Sequence, residues 1–282
     1  PYRRQRQMCI RDSSFGSAGT GGFSSRNLSV GAYNNPYFEI VIGIFMLLFG
    51  INFNLYYFLL VRRFRDVFRS EELWAYVLIV ATAVAAITLD IVHMYESVGT
   101  SLRHAFFQVS SIITTTGFAT VDFSLWPTFC RMALVMLMFI GACAGSTSGG
   151  IKISRVAILC KSLKRELKRL AHPHHVSVLK VDGQAVEERV VSSAGAFIAA
   201  YLLVLLAGAL VVSWDNYGFQ ESFAASLTCI SNVGPGLGIL GPMENFSILS
   251  PLSKLVLSLE MLMGRLELMP LLALFLGSTW RD

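Results

Sequence analysis

The sequence predicts an all-α integral membrane protein made of tandem repeats. In each repeat a long helix, a shorter half-helix, a glycine-centred strip and a second long helix follow one another. Only 15% of the 282 residues are charged and 54% are hydrophobic, whereas soluble domains carry about 25% charged residues. Several apolar segments approach or exceed the roughly 20 residues that a bilayer-spanning helix needs. Three similar short motifs between these segments indicate the repeats.

The clearest repeat signal is a short strip rich in Gly, Thr and Ser. The first strip is 19–25 (GTGGFSS), the second strip is 114–120 (TTTGFAT) and the third strip is 231–236 (SNVGPG). Any one of them alone could be a simple turn between buried helices, but an internal repeat is stronger evidence than a single motif. Non-helical backbone at membrane depth is tolerated only where it lines protein or water. We therefore expect the three strips to line one site.

The strips have the chemistry of a site for a dehydrated monovalent cation. Rings of backbone carbonyls can replace the hydration shell of such an ion, and glycine permits the backbone dihedrals that this needs. The half-helices end at the strips, so their C-terminal carbonyl dipoles favour a cation there. The strips contain no acidic residue, which argues against a divalent-cation site, since those usually recruit carboxylates.

Long apolar segments separate the strips, and half-helices precede them. The long segments are 37–61, 74–92, 125–140, 190–212 and 252–276. The half-helices are 102–113 and 219–230, with the tail of a third expected from residue 14. Lys and Arg cluster at 62–69 and at 152–169. The positive-inside rule places both clusters on the cytoplasmic side, so the strips would face the outer half of the membrane.

Residues 1–13 are expected to be an artefact and not part of the natural protein. The segment RRQRQMCIRDS (3–13) matches a frame translation of a transposase-type sequencing-library adapter, which indicates a cloning or assembly scar. The alternative is a genuine basic amphipathic arm. On the first interpretation the natural protein continues upstream, and the chain is a fragment.

A second Gly/Ser-rich segment lies within the membrane region, at Gly145, Ser146, Thr147, Ser148, Gly149 and Gly150, with Lys152 just beyond. It is not a phosphate-binding loop, because Ile151 separates Gly150 from Lys152 where that motif requires Gly-Lys-Ser/Thr. We expect a flexible plug below the strips, the alternative being an inert helix break.

Arg265 lies within the last apolar segment, where an arginine is costly and normally faces the bundle interior. We expect Arg265 to hydrogen-bond the Gly/Ser segment and to repel cations when that segment is closed. The alternative is a structural role, with Glu260, Glu267 or loop carbonyls as partners.

Other polar clusters carry weaker signals. The basic run of 152–169 is an orientation signal that attracts anionic lipid, and it could also transmit the motion of a cytosolic regulator. His172, His174 and His175 could bind a metal, but they lack acidic or Cys partners at ligand spacing, and a solvated loop is the preferred interpretation. No catalytic constellation is evident, so an enzyme is not predicted, and no nucleic-acid partner is expected.

Several motifs, in fixed order, resemble the TrkH/KtrB family of potassium transporters. They are GTGGF (19–23), TTTGFAT (114–120), GACAGSTSGGIK (141–152), NVGPGLG (232–238) and GRLE (264–267). The GRLE motif with the following Leu-Met-Pro, and the terminal Ser-Thr-Trp-Arg, look more like the TrkH branch. The resemblance implies four such repeats in a pseudo-fourfold arrangement, of which this chain carries three filter segments and lacks the first repeat. Residues 14–70 would end the second repeat, 71–186 would form the third and 187–282 the fourth.

The resemblance also implies a function: potassium uptake across a bacterial inner membrane, by a channel or a symporter, through a carbonyl-lined selectivity filter. Filter oxygens would come from Thr20, Gly21, Gly22, Thr115, Thr116, Gly117, Asn232, Val233 and Gly234. The gate would comprise Gly145, Ser146, Thr147, Ser148, Gly149, Gly150, Lys152 and Arg265.

The same resemblance implies a multi-pass homodimer with cytosolic nucleotide-binding regulatory subunits (TrkA-like). Potassium would be the transported ion, and no cofactor is expected in this chain. The third strip departs from the Thr-Gly pattern, and we expect weaker ion coordination there. Two other classes stay open from the residues: a sodium- or proton-coupled carrier of another solute, and a non-transporting membrane scaffold.

Overall fold

The computed structural model describes residues 11–24, 26, 28–95, 97–172 and 178–274. Their α-helices are α1 (11–18), α2 (Pro36–Phe49), α3 (Phe53–Leu60), α4 (Phe64–Arg69), α5 (Glu71–Ile91), α6 (Val98–Ile113), α7 (Thr128–Ile140), α8 (Ile153–Ala171), α9 (Glu188–Ser213), α10 (Phe219–Ser231), α11 (Pro251–Arg265) and α12 (Leu268–Leu274). A small antiparallel hairpin, β1 (Lys180–Val181) and β2 (Gln184–Ala185), lies between α8 and α9.

Two helices are long and apolar enough to cross a membrane: Glu71–Met94, which extends α5 by a short 3₁₀ turn, and α9. The pair α2 and α3 would qualify together but is bent by 89°, and α7 is a shorter apolar helix. The prediction of an all-α membrane fold is confirmed, with the small hairpin as its only strands among the described residues.

The long apolar segment 37–61 is not one continuous helix, because α2 ends at Phe49 and α3 starts at Phe53. Asn52 caps α3 by accepting a hydrogen bond from the amide of Asn54, a standard helix-start signal. Gly50 makes the break compact, since a Cβ there would lie 2.8 Å from Cγ2 of Thr114 in the second strip. The break therefore places the chain directly behind that strip.

The predicted span over 252–276 is also interrupted. Helix α11 ends at Arg265 and α12 starts at Leu268, with Glu267 in the left-handed region at φ 63°. Arg265 therefore lies at a helix end rather than in the middle of a continuous helix.

The half-helices α6 and α10 form the centre of the molecule. Helix α6 packs against α2, α5 and α7, and α10 packs against α9, α11 and α7. Every residue from Phe107 to Ile113 of α6 is buried, as is every residue from Ala224 to Ser231 of α10. The structure thus fixes the ends of two short helices inside the protein, where each leads into a strip.

The basic helix α8 joins the hairpin and the start of α5 at one end of the molecule. Lys161 donates to the carbonyl of Lys180 at 2.8 Å and forms an ion pair with Glu71. Asp182 in the hairpin turn accepts from the amide of Glu71 at 2.7 Å. Arg165 reaches Glu188, at the start of α9, at 3.1 Å.

Candidate functional site

The three strips begin with the same backbone turn. Thr20, Thr115 and Asn232 adopt left-handed backbone, with φ of 49°, 53° and 56°. Two residues further on, Gly22, Gly117 and Gly234 also have positive φ, at 63°, 82° and 105°. This common pattern, which recurs at matching positions, makes the three strips structurally equivalent where they leave their half-helices.

The hydrogen bonds of the turn repeat as well. The amides of Gly21, Thr116 and Val233 each donate at 2.9 Å to the carbonyl five residues earlier. The left-handed residues, one position earlier, each donate their own amide to the carbonyl three residues before them, at 3.0 to 3.4 Å. These are the two bonds of a Schellman helix end. They turn the chain sharply away from the helix axis and leave the following carbonyls free for other partners.

The strips contact one another in a regular order. A Cβ added at Gly22 would lie 1.9 Å from the carbonyl oxygen of Thr116, and one at Gly117 would lie 2.1 Å from that of Val233. Thr116 and Val233 occupy the same place in their strips. Each glycine therefore packs on the equivalent carbonyl of the next strip. At Gly234 an added Cβ would meet none of the described atoms within 4 Å.

Hydroxyl groups on the half-helices hold the far ends of two strips. Ser111 donates to the carbonyl of Phe118 at 2.6 Å, and Thr228 donates to the carbonyl of Pro235 at 3.0 Å. Both bonds join residues seven apart. In the first repeat the equivalent residue is Gly16, which instead lies against the ring of Phe118.

The Gly/Ser segment of residues 141–152 lies at the half-helix end of the strips. Gly149 donates its amide to Oγ1 of Thr115 at 2.7 Å, and a Cβ at Gly149 would lie 2.3 Å from the carbonyl oxygen of Ser231. The carbonyl of Thr147 accepts from Oγ1 of Thr20 at 2.8 Å. The segment thus touches the start of all three strips.

Arg265 binds this segment directly. Its Nη1 donates to the carbonyl of Thr147 at 2.9 Å, the same oxygen that accepts from Thr20. Among the described residues Arg265 makes no ion pair: Glu267 pairs with Arg155 at 3.1 Å, and Glu260 is bonded to Ser226 at 2.9 Å. Of the three kinds of partner considered for Arg265, it therefore binds the loop carbonyl and neither Glu260 nor Glu267.

A cavity of about 180 Å³ lies beside the Thr147–Arg265 contact. Lys152, Arg155, Arg265 and Glu267 contribute charged side chains to its lining, three positive and one negative. Arg155 also stacks on the ring of Phe197, with its Cζ 4.0 Å from the centroid. The positive side chains make the cavity unfavourable for a bare cation as long as they stay in place.

Three anchors of the Gly/Ser segment were not predicted from sequence. Glu72 of α5 accepts from the amide of Ala144 at 2.6 Å, and the amide of Phe53 donates to Gly145 at 3.1 Å. The amide of Cys143 donates to Gly50 at 3.1 Å. The last two use backbone of the broken α2–α3 pair, so they could not be anticipated while residues 37–61 were taken as one helix. Glu72, a carboxylate at the start of an apolar helix, was the available signal.

The nine predicted filter residues and the eight predicted gate residues all lie within or beside this arrangement of strips and loop. His174 and His175 lie outside the described residues, as do Ser25, residues 1–10 and the terminal Ser-Thr-Trp-Arg. No cluster of three or more His, Cys, Asp or Glu side chains with metal-site geometry occurs in the described part of the chain.

Fold and site together define an integral membrane protein in which buried half-helices deliver equivalent polar strips to a common centre. A sequence model of the family described as TrkH, cation transport protein, matches residues 12–281. The chain belongs to the TrkH family of cation transport proteins.

Similar proteins agree with this assignment. The chain is 38% identical over 272 residues to the Trk system potassium uptake protein TrkH of Salmonella typhimurium, covering 95% of this chain and 56% of that protein. It is 37% identical over 265 residues to TrkG of Escherichia coli, covering 93% of this chain and 54% of that protein.

The crystal structure of the potassium transporter TrkH from Vibrio parahaemolyticus superposes with a TM-score of 0.86 at 34% identity, covering 95% of this chain and 58% of that one. The chain thus spans somewhat more than half the length of the relatives that it matches.

Proposed function

We propose that the chain forms most of the ion pathway of a potassium uptake protein, in which the three strips dehydrate and bind the ion. The observation that carries the proposal is the regular packing of Gly22 on Thr116 and of Gly117 on Val233. Equivalent carbonyl-rich strips that contact each other around one centre supply the oxygens that replace water around a monovalent cation. The names of the relatives, potassium uptake proteins and a potassium transporter, support potassium as the ion.

In this proposal the Gly/Ser segment is the gate. It lies across the inner end of the strips, and the carbonyl of Thr147 is held from two sides by Thr20 and Arg265. With Arg265 in this place a positive charge faces the ion path, which disfavours cation passage. Opening requires that Thr147 leave both donors. Gly145 and Gly150 of the Gly/Ser segment, both at positive φ, are the positions where its backbone can pivot.

The regulatory and cellular setting follows from the same proposal. Helix α8 continues directly from the Gly/Ser segment and carries its basic residues to the end of the molecule that also holds the hairpin. A cytosolic nucleotide-binding subunit (TrkA-like) that moves α8 would move the gate. A homodimer in the bacterial inner membrane, with membrane lipid around it and no cofactor or enzymatic reaction of its own, completes the proposed assembly.

Ion flux in vesicles tests the proposed function. The complete gene product, purified and reconstituted, is expected to pass potassium and rubidium much faster than sodium or lithium, because a carbonyl-lined site sized for one dehydrated ion discriminates against the others. Flux is followed by isotope uptake or by a potential-sensitive dye, with protein-free vesicles as the control. Equal fluxes of all four ions would reject the assignment of the strips as a selectivity filter.

A further inference from the structure

A carboxyl group that the proposed pathway does not use lies buried behind the third strip. Glu260 of α11 is only 2% exposed. Its Oε1 lies 2.9 Å from Oγ of Ser226 on α10. Its Oε2 is buried without a hydrogen-bond partner among the described residues. Gly208 of α9 permits the close approach, since a Cβ there would lie 1.7 Å from Oε1.

The single hydrogen of Ser226 limits how its two contacts can both be hydrogen bonds. Its Oγ lies 2.8 Å from the carbonyl oxygen of Leu205 as well as 2.9 Å from the Glu260 carboxyl. A serine hydroxyl carries one hydrogen, and a backbone carbonyl can only accept. If Ser226 donates to Leu205, the second contact is a hydrogen bond only when the carboxyl supplies the hydrogen. A neutral Glu260 thus completes a relay from carboxyl to hydroxyl to carbonyl.

The surroundings of Glu260 provide no counter-charge. On α11, Lys254 donates to the carbonyl of Ser247 at 2.7 Å and Arg265 to that of Thr147 at 2.9 Å. Of the titratable groups on the packed helices, those that interact with Glu260 are Tyr201 on α9, whose hydroxyl lies 2.6 Å from Oγ of Ser231, and Cys229 on α10, which is buried. No cation pairs with Glu260 in the described part of the chain. A buried carboxylate there would be an unpaired charge, which a protein interior strongly disfavours.

The relay joins the three helices that hold the third strip. Next to Glu260 along α11, the carbonyl of Met261 accepts from Nδ2 of Asn232 at 3.1 Å. Gly264, one turn further, packs on the carbonyl of Ile230, 1.9 Å from an added Cβ. A change in the spacing of α11 and α10 at Glu260 therefore reaches the left-handed residue that begins the strip.

We propose that Glu260 is a positioning residue, held as a neutral carboxylic acid that donates to Ser226 and thereby fixes half-helix α10 and the third strip. Loss of its proton removes the hydrogen that Glu260 donates and leaves a charge without a counter-charge in the protein interior; Ser226 must then turn its own hydrogen from Leu205 to the carboxylate, and the spacing of α11 and α10 changes. The role in ion passage rests on the proposed function, whereas the protonation of Glu260 does not. Ion passage should accordingly decline as pH rises, because the protonated form is the one that holds the strip.

Infrared spectroscopy of the complete protein in lipid tests the protonation without any transport measurement. The wild type is expected to show the C=O stretching band of a protonated carboxyl near neutral pH, and this band is expected to be missing from the spectrum of Glu260→Gln, so that it appears in the difference between the two. Identical protonated-carboxyl bands in the two proteins would overturn the proposal. This readout stands even if the vesicles carry no potassium flux, an outcome that would reject the proposed function instead.

Flux as a function of pH tests the positioning role. Glu260→Gln keeps a donor for Ser226, so it should retain potassium flux within about threefold of wild type and lose the decline at high pH. Ser226→Ala removes the acceptor and should lower flux or ion selectivity about tenfold, the equivalent of about 1.4 kcal/mol. The proposal is overturned if Glu260→Gln follows the wild-type pH profile, or if Ser226→Ala behaves as wild type at full expression.

Discussion

Three residues other than glycine begin the strips with left-handed backbone: Thr20, Thr115 and Asn232. This conformation costs roughly 1–2 kcal/mol for a residue with a Cβ. Each side chain offsets the cost with a contact that glycine could not make. Thr20 donates to Thr147, Thr115 accepts from Gly149, and Asn232 donates to Met261. The residues with left-handed backbone are therefore the ones that connect the strips to the Gly/Ser segment and to α11.

Thr115→Val tests this connection. The substitution keeps the shape but removes the hydroxyl, so the amide of Gly149 loses its acceptor at a cost of about 1–3 kcal/mol. We expect a lower thermal unfolding temperature in detergent and an increased ion leak in vesicles. Thr82→Val is the matched control, because the Thr82 hydroxyl is exposed and bonds only carbonyls of its own helix. Equal behaviour of the two variants would contradict the role of Thr115.

Gly117→Ala tests the contact between strips. Its methyl group would lie 2.1 Å from the carbonyl of Val233 at a residue with φ 82°, so the strips must separate. We expect the potassium-over-sodium flux ratio to collapse towards one, or the folded protein to be lost. Gly195→Ala in α9 is the control, since a Cβ there meets no described atom outside its own helix backbone within 4 Å and alanine favours a helix over glycine by about 1 kcal/mol. A Gly117→Ala protein that retains full selectivity would refute the contact.

The positions of the strip residues could be predicted from sequence, because Gly, Thr and Ser repeat in a recognisable order. Their left-handed turns could not, since that conformation usually selects glycine and here falls on threonine and asparagine. The side-chain hydrogen bonds that offset the cost of this conformation at Thr115 and Thr20 reach residues 34 and 127 positions away. A local sequence pattern cannot predict such distant partners.

At the scale of elements, hydropathy gave the number of apolar segments but not their continuity. The 89° bend between α2 and α3 occurs within an unbroken apolar run. Gly50 and the capping residue Asn52 were the visible signals for it. The high hydropathy of the segment favoured a single helix despite these signals. Hydropathy cannot show a helix break whose free backbone groups are hydrogen-bonded by a distant segment. Here Gly50 receives the amide of Cys143 from the Gly/Ser segment.

The break between α11 and α12 places Arg265 at a helix end, where it can donate to the Gly/Ser segment. Arg265→Ala tests the role of this hydrogen bond. Without the guanidinium the carbonyl of Thr147 loses one of its two donors and the ion path loses a positive charge. We therefore expect a higher resting potassium leak with selectivity retained. Arg63→Ala is the control, because Arg63 is exposed and its contacts, an ion pair with Asp66 and the ring of Phe58 5.4 Å from its Cζ, do not involve the Gly/Ser segment; an exposed ion pair contributes about 0–1 kcal/mol. An unchanged or smaller leak at normal expression would exclude the gating role.

At the scale of the whole molecule, charge sets the orientation. Helix α4 with the residues before it and helix α8 carry the two basic clusters, and they converge where Lys161 meets Glu71 and the hairpin. The positive-inside rule predicts that this end faces the cytoplasm. The strips, on separate half-helices, then share one orientation relative to the bilayer.

Cys160 on α8 offers a direct test of orientation. It is exposed, whereas Cys130, Cys143 and Cys229 are buried. In a Cys9→Ser background, a membrane-impermeant maleimide should label Cys160 only after cells are opened. A cysteine introduced at Ser247, an exposed residue in the segment between α10 and α11, should be labelled in intact cells. Labelling of Cys160 in intact cells would reverse the assigned topology.

The uncovered face of Gly234 has a geometric consequence. The second and third strips each place a carbonyl against the glycine of the strip before it, so the two contacts run head to tail in the same sense. A head-to-tail series either closes into a ring or continues without end. A further strip of the same construction, from wherever in the protein it comes, would place its carbonyl on Gly234 and rest its own glycine on the exposed Gly21, the counterpart of Thr116 and Val233. Gly21 and Gly234 would then be the two contact points of such a strip, and a bulky side chain at either would keep it from packing there.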